Sequence, residues 1–415
     1  MGSLKGTPLQ TLETEAGEMP LDLRRKMLSL KFRILMEKDE THSLYKNLKD
    51  CWQYHYSHNK IRPSFGQRTM QTENIDLFEP SEPNLCKKFP FPPWKFHAPN
   101  ISLELTSKIS KKDHPSLLLQ LSLEMINTKW SNYMHAYTDG SKFPDTGRTT
   151  AAFHIPYYGK TEAKRLQNHI SIYRAELISI LLLLTWVNNQ NIQLYTGIVI
   201  FSDSLSALQA LNNTKDENTI KEILFLSTQL FYKGINIHLE WIPSHCGIKG
   251  NESVDQAAKN ALQNIQIDIP VRLNKQEIKS ILKKQYVNEW QIRWNESTSF
   301  LQYIHKKVSK PYECKIVNRK NEITLYRLRS GNLGLNCNLQ KIGKHETGLC
   351  PICKVPETTQ HFLSECTQYI IPRSMLLTDT NTNDPNNIIL LLSSESSSDQ
   401  KALVEFVYRS QRFYE

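Results

Sequence analysis

Two separate apolar runs of this 415-residue chain close on an aspartate, and few folds accommodate both. One is Tyr133-Met134-His135-Ala136-Tyr137-Thr138-Asp139, followed by Gly140-Ser141; the other is Val199-Ile200-Phe201-Ser202-Asp203, followed by Ser204. Their β-branched and aromatic content predicts short strands at about 133–138 and 196–202. Each acid is then expected where a buried strand opens onto a loop. Taken singly, neither aspartate demands a function: Asp before Gly is ordinary turn chemistry, and Asp before Ser can cap a helix.

The chain between and after these runs predicts how they meet. Strands at about 149–156 and 161–171 follow the first through short turns at Gly140 to Gly147 and at Tyr158-Gly159, so all three should pair antiparallel. A helix from about Tyr173 to Asn189 carries Leu177, Ile180, Leu184 and Val187 on one face and is apolar on the other, so it must be covered on most sides. Helices near 204–212 and 217–232, a fifth strand over Ile235–Trp241 and a last helix from near Glu252 complete the pattern. A strand–helix–strand crossover sets the first and fourth strands parallel and adjacent. Their C-terminal ends, bearing Asp139 and Asp203, then share one edge where the strand order reverses.

Two further acids and a histidine fall at suggestive places. Glu176 lies in Ser171-Ile-Tyr-Arg-Ala-Glu176, at the opening of the long helix. His245 and Asp255 lie in Trp241-Ile-Pro-Ser-His245-Cys-Gly-Ile-Lys-Gly-Asn-Glu-Ser-Val-Asp255. With Tyr137-Thr-Asp-Gly-Ser141 and Ser202-Asp203-Ser204, this ordered set resembles the ribonuclease H family over residues 131–263. The resemblance implies an α/β, ribonuclease H-like fold: a five-stranded mixed sheet flanked by helices. It implies an endoribonuclease that cleaves the RNA strand of RNA–DNA hybrids by two-metal-ion hydrolysis, leaving a 5′-phosphate and a 3′-hydroxyl. Asp139 would bridge two Mg²⁺ ions, Mn²⁺ being a possible substitute, and Glu176, Asp203 and Asp255 would complete the sites. His245 would assist late, in proton handling and product departure, while Cys246 beside it reads as structural. The physical logic is charge: two divalent cations carry four positive charges, which four carboxylates offset, and without metal those carboxylates repel one another and take up protons. Discrimination of RNA from DNA needs contact with the 2′-hydroxyl, for which the Gly140-Ser141 backbone and Glu176 are the candidates. Two departures stand out: Val254 replaces the small residue usual before the last Asp, and the stretch Asn212 to Thr219 holds only Lys215 as a base.

Near the C-terminus, Cys350, Cys353, His361 and Cys366 follow the pattern C-x2-C-x7-H-x4-C. Three thiolates and an imidazole suit a closed, structural tetrahedral Zn²⁺ site; chance clustering of thiols is the other reading. His345 is a poorer ligand, lacking a suitably spaced partner. The segment from Leu325-Tyr-Arg-Leu-Arg-Ser-Gly331 to Leu349 resembles the one preceding the zinc-binding module of non-LTR retrotransposon polyproteins. Thr7-Pro8 to Arg24-Arg25 resembles the end of their reverse transcriptase. The polymerase's Tyr-x-Asp-Asp pair is absent, so polymerase activity is not implied.

Net charge of +10 suggests an anionic partner. Bases concentrate over 275–329, with Trp290, Trp294, Tyr303 and Tyr312 between them. That segment reads either as a solvated helix face or as a surface for single-stranded or duplex nucleic acid. No stretch is long enough to span a bilayer, and scattered cysteines with one metal-like cluster fit an intracellular protein, nuclear or cytoplasmic. The expected organisation is a helical remnant over 1–60, a proline-rich linker over 61–113, the ribonuclease H domain over 114–265, a basic helical linker over 266–345, the zinc module over 346–370 and a tail over 371–415. The leading alternative is a catalytically inactive, nucleic-acid-binding remnant; a nuclease or integrase of the same fold acting on DNA ranks behind it.

Overall fold

The computed structural model describes residues 2–37, 43–44, 89–90, 92–110, 113–190, 197–213, 218–381 and 388–413. The expectations for residues 38–42 and 45–88, for Lys215 and for the polar break at 382–387 lie outside the described residues. The chain forms two compact units, and the division falls near residue 281.

Two helices open the chain, α1 (Leu9–Ala16) and α2 (Leu21–Glu37). The first unit then begins with β1 (Asn100–Ser102), α3 (Leu105–Lys108) and α4 (Pro115–Lys129). Next come β2 (Met134–Lys142), β3 (Thr149–Ile155), β4 (Lys160–Leu166) and α5 (Ile172–Asn189). They are followed by β5 (Ile198–Ser202), α6 (Leu205–Asn212), α7 (Asn218–Tyr232), β6 (Ile237–Trp241) and α8 (Lys249–Ala261). The sheet order is β1-β6-β5-β2-β3-β4. Strands β1, β6, β5 and β2 run parallel in turn, and β2-β3-β4 is an antiparallel meander.

The sheet therefore has six strands, not five. The extra one lies inside the stretch read as an irregular proline-rich linker. Pro99 precedes it, a position compatible with an edge strand because no ladder hydrogen bond is lost. Its register sets Asn100 opposite His238 and Ser102 opposite Glu240. Glu240 is fully buried and ties this edge together. Its carboxylate accepts from Ser102 Oγ (2.8 Å), Lys129 Nζ (2.9 Å) and Trp130 Nε1 (3.0 Å).

The first strand also outruns its expected end. Parallel pairing with β5 stops at Thr138 opposite Ser202, but antiparallel pairing with β3 continues to Lys142 opposite Thr149. Asp139 thus remains in a strand, one residue past its parallel neighbour, instead of opening a loop. β4, conversely, stops at Leu166 and not near 171, because the chain turns at His169, whose backbone is left-handed at φ 69°. The last helix starts at Lys249, three residues before Glu252.

Two glycines let helices lie close on β2. A Cβ at Gly140 would stand 2.8 Å from the Glu176 backbone nitrogen in α5. One at Gly250 in α8 would stand 2.2 Å from the Tyr137 ring. The core between sheet and helices includes Phe153, Leu177, Leu184, Ile200, Phe201 and Leu239, all essentially inaccessible; each such side chain contributes about 1.5–3 kcal/mol by burial. Glu277, near the start of α9 (Lys275–Asn295), accepts from Ser171 N (2.8 Å), Ser171 Oγ (2.9 Å) and Arg174 Nη1 (2.9 Å), fixing the start of α5.

The second unit contains α1, the first part of α2 and the chain beyond residue 281, including α10 (Phe300–Ile304), α11 (Arg319–Arg329), α12 (Asn336–Lys341), α13 (Ile370–Asp379), α14 (Ile388–Leu391) and α15 (Ser397–Arg409). Its centre is a buried ion pair between Glu15 and Arg329, with the guanidinium 3.3 Å from the Tyr312 ring centroid. Trp290, Trp294 and Tyr312 are buried, so three of the four aromatics between the basic residues are core and cannot stack on bases. Only Tyr303 is exposed, at 61%. Arg293 is likewise engaged, with Asp22 and Glu289. Among the described residues no helix is long and apolar enough to cross a membrane.

Candidate active site and metal centres

Asp139 on β2, Glu176 on the first turns of α5 and Asp203 at the end of β5 converge. One carboxylate oxygen from each lies within 4.8 Å of the others. Asp139 and Glu176 are buried, and Asp139 Oδ2 and Glu176 Oε2 have no hydrogen-bond partner. Burial, then Asp203 and Asp255, push the Asp139 carboxyl up to about 7. Glu176 is raised well above its ordinary value by burial, then by Asp139 and Asp203. Asp203 is raised as well, mainly by burial, although His245 and a hydrogen bond from Asn251 oppose the shift.

Asp255, on α8, belongs to an adjoining group in which His245, Glu252 and Asp255 offer ligand atoms within 4.8 Å of one another. Its Oδ2 lies 3.9 Å from His245 Nδ1 and 2.6 Å from Lys259 Nζ. His245 is exposed and holds a left-handed backbone at φ 51°. Cys246 is buried, its Sγ 3.4 Å from Pro243 O.

The two groups together hold five carboxylates and an imidazole, and the carboxylate oxygens are hard ligands appropriate to Mg²⁺ or Mn²⁺. Orphaned buried carboxylate oxygens are costly unless a cation or proton meets them. The residues therefore fit a divalent-cation site. Sequence reasoning passed over two neighbours, Asn251 on Asp203 and Lys259 on Asp255. Asn251 stood inside the quoted Gly250-Asn251-Glu252 run, and Lys259 is four residues beyond Asp255, the helical spacing at which opposite charges pair.

The cysteine cluster lies in the second unit. Cys350, Cys353, His361 and Cys366 offer ligand atoms within 4.8 Å of one another. Cys350 Sγ and Cys353 Sγ each lie 3.8 Å from Cys366 Sγ, too far for a disulfide. That spacing is the edge of a tetrahedron with metal–sulfur bonds of about 2.3 Å. Cys353 N donates to Cys350 Sγ at 3.5 Å, closing the knuckle, and a single π-helical turn over His361–Glu365 delivers the last two ligands. Both ring nitrogens of the buried His361 lack a hydrogen-bond partner; the nearest acid, Glu365, stands 3.4 Å from Nδ1. Thr367 lowers the Cys353 thiol to about 6, while burial raises Cys366 to about 12. Arg373 donates to Leu363 O and Cys366 O, both at 2.8 Å, bracing the ligand turn. These residues fit Zn²⁺. His345 instead accepts from Thr347 N and Gly348 N as a turn residue.

A mixed six-stranded sheet that collects carboxylates from separate segments at the edge of its parallel strands defines an α/β domain of the ribonuclease H-like fold. Residues 131–263 match the family model described as RNase H, and this part of the chain is a ribonuclease H domain. No curated protein matches the chain.

Proposed function

We propose that this protein is an endoribonuclease that hydrolyses the RNA strand of RNA–DNA hybrids, with Asp139, Glu176, Asp203 and Asp255 as ligands to a pair of Mg²⁺ or Mn²⁺ ions. The observation that carries the reading is the pair of buried, unpartnered oxygens, Asp139 Oδ2 and Glu176 Oε2, within one cluster of acids. The chemistry such ions supply when bound is activation of water and charge neutralisation at the scissile phosphate. The chain's own residues do the rest. The carboxylates hold the negative charge that selects divalent cations, and Asn251 orients Asp203. Lys259 partly neutralises Asp255. His245, exposed on its loop, exchanges a proton with solvent as product departs. Glu176 and the Gly140-Ser141 backbone are the groups to which this reading assigns contact with a 2′-hydroxyl.

Cys350, Cys353, His361 and Cys366 would hold a structural Zn²⁺, and the whole resembles the C-terminal part of a non-LTR retrotransposon polyprotein. Exposed Lys275, Lys279 and Lys283 remain available for contacts to a nucleic-acid backbone. A catalytically silent binding remnant would have no need of mutually repelling buried acids. The test compares wild type with Asp203→Asn on a labelled hybrid in Mg²⁺: the wild type should cut the RNA strand and the variant should lose at least about a hundredfold in rate. Equal cutting by both, or none by wild type, refutes the assignment.

A further inference from the structure

A cavity of about 580 Å³ opens in the first unit, lined among others by His97, Tyr133, Ser227, Phe231, Asn236 and His238. It lies at the opposite end of the parallel strands from the carboxylates: it includes Asn100 and Ile237, the first residues of β1 and β6, whereas Asp203 follows the last residue of β5. Nothing in the hydrolytic reading uses it, and the volume is that of a small-molecule site.

Its walls are aromatic. The His97 and Phe231 rings stack with centroids 3.7 Å apart and planes inclined at 28°. Tyr133 and His238 meet edge-on at 5.1 Å, and Trp130 backs His238 at 4.9 Å. Two lining residues carry buried polar atoms with no hydrogen-bond partner, Ser227 Oγ and His238 Nδ1, and Ser227 is 1% exposed. Burial, and then Lys129, lower the His238 pKa, so its ring is neutral at pH 7 and Nδ1 can donate or accept. Among the described residues no Lys, Arg, Asp or Glu lines the cavity, so they offer a charged ligand no counter-ion.

We propose that this cavity binds an uncharged nucleobase, with its faces against the aromatic walls and its polar edge satisfying Ser227 and His238. Stacking on aromatic side chains accepts any base, and the two polar atoms give the orientation. The base can come from a free nucleoside or from an unpaired position in a strand, and the experiment separates these sources. Titration calorimetry of the full chain with adenosine and with cytidine, in Mg²⁺-free buffer, is expected to give saturable binding. Ser227→Val and His238→Phe should each weaken it about tenfold, equivalent to about 1.4 kcal/mol. AMP should bind no more tightly than adenosine. A duplex with one unpaired 2-aminopurine, read by fluorescence against a fully paired control, tests the second source; quenching that is lost in both variants assigns the site to a strand base even if free nucleosides fail. Absence of binding by adenosine, cytidine and the unpaired base overturns the proposal. So does binding that neither substitution weakens while circular dichroism is unchanged, or AMP binding clearly tighter than adenosine.

Discussion

Asp139→Asn should make the magnesium-free protein more stable at pH 8 while abolishing hybrid cleavage. Asp139 titrates at about 7 instead of 3.8 because burial, then Asp203 and Asp255, oppose its charge. The difference of about 3 pH units, at about 1.36 kcal/mol each, amounts to about 4 kcal/mol. Because the folded pKa is raised, this acid's favourable contribution is fully present below about pH 4 and is lost as pH climbs through about 7. Glu176 is raised for the same reasons, and one proton relieves both acids, so the gain expected from the asparagine is about 2–4 kcal/mol. Hydrogen exchange of β2 and β5 amides, on zinc-loaded protein in magnesium-free buffer, reads this unit alone. Wild-type protection should fall from pH 5 to pH 8, and the variant's should fall less. Adding Mg²⁺ should stabilise wild type and leave the variant nearly unmoved. If Asp139→Asn is no more stable than wild type at pH 8 without magnesium, mutual repulsion is not what this cluster stores.

Three further outcomes follow from the geometry. His245→Ala should lower kcat about 10- to 100-fold with KM nearly constant, because the exposed imidazole handles a proton and does not hold substrate; single-turnover and steady-state rates on a hybrid check this. Cys366→Ser should reduce bound zinc from one ion per chain to well below one by elemental analysis, and should lower the melting temperature of the second unit. Gly250→Ala drives a methyl into the Tyr137 ring, 2.2 Å from the nearest carbon, and should cost about 1–3 kcal/mol in urea denaturation; an unchanged midpoint would mean that α8 moves freely on the sheet.

What could be read in the sequence was what periodicity and a terminal acid encode together. The runs ending in Asp139 and Asp203 needed only local pattern and the parallel crossover to be brought to one edge, whereas Glu176, His245 and Asp255 joined them only through the resemblance to the ribonuclease H family. The sixth strand was not legible. Three residues after Pro99 have no alternation long enough to see, and they become a strand only because β6 offers a parallel partner and Glu240 gathers Ser102, Lys129 and Trp130. The extension of β2 through Asp139 depended on β3 in the same way. The aromatics after residue 275 were misread for another reason. Ile278, Leu282, Tyr286, Trp290 and Trp294 recur every four residues and are all buried; that helical stripe was present in the sequence, but the intervening lysines drew attention to charge.

The short β1 ladder bears on how this protein is to be handled. Boundaries drawn at the family match, 131 to 263, would discard Asn100–Ser102, Lys129 and Trp130 together. Such a fragment would leave the backbone donors and acceptors of β6 bare along a row of Ile237, Leu239 and Trp241, with the Glu240 carboxylate stripped of three partners. A naked, apolar strand margin is a template for another chain, so a trimmed fragment would be more prone to self-associate than a chain that keeps β1.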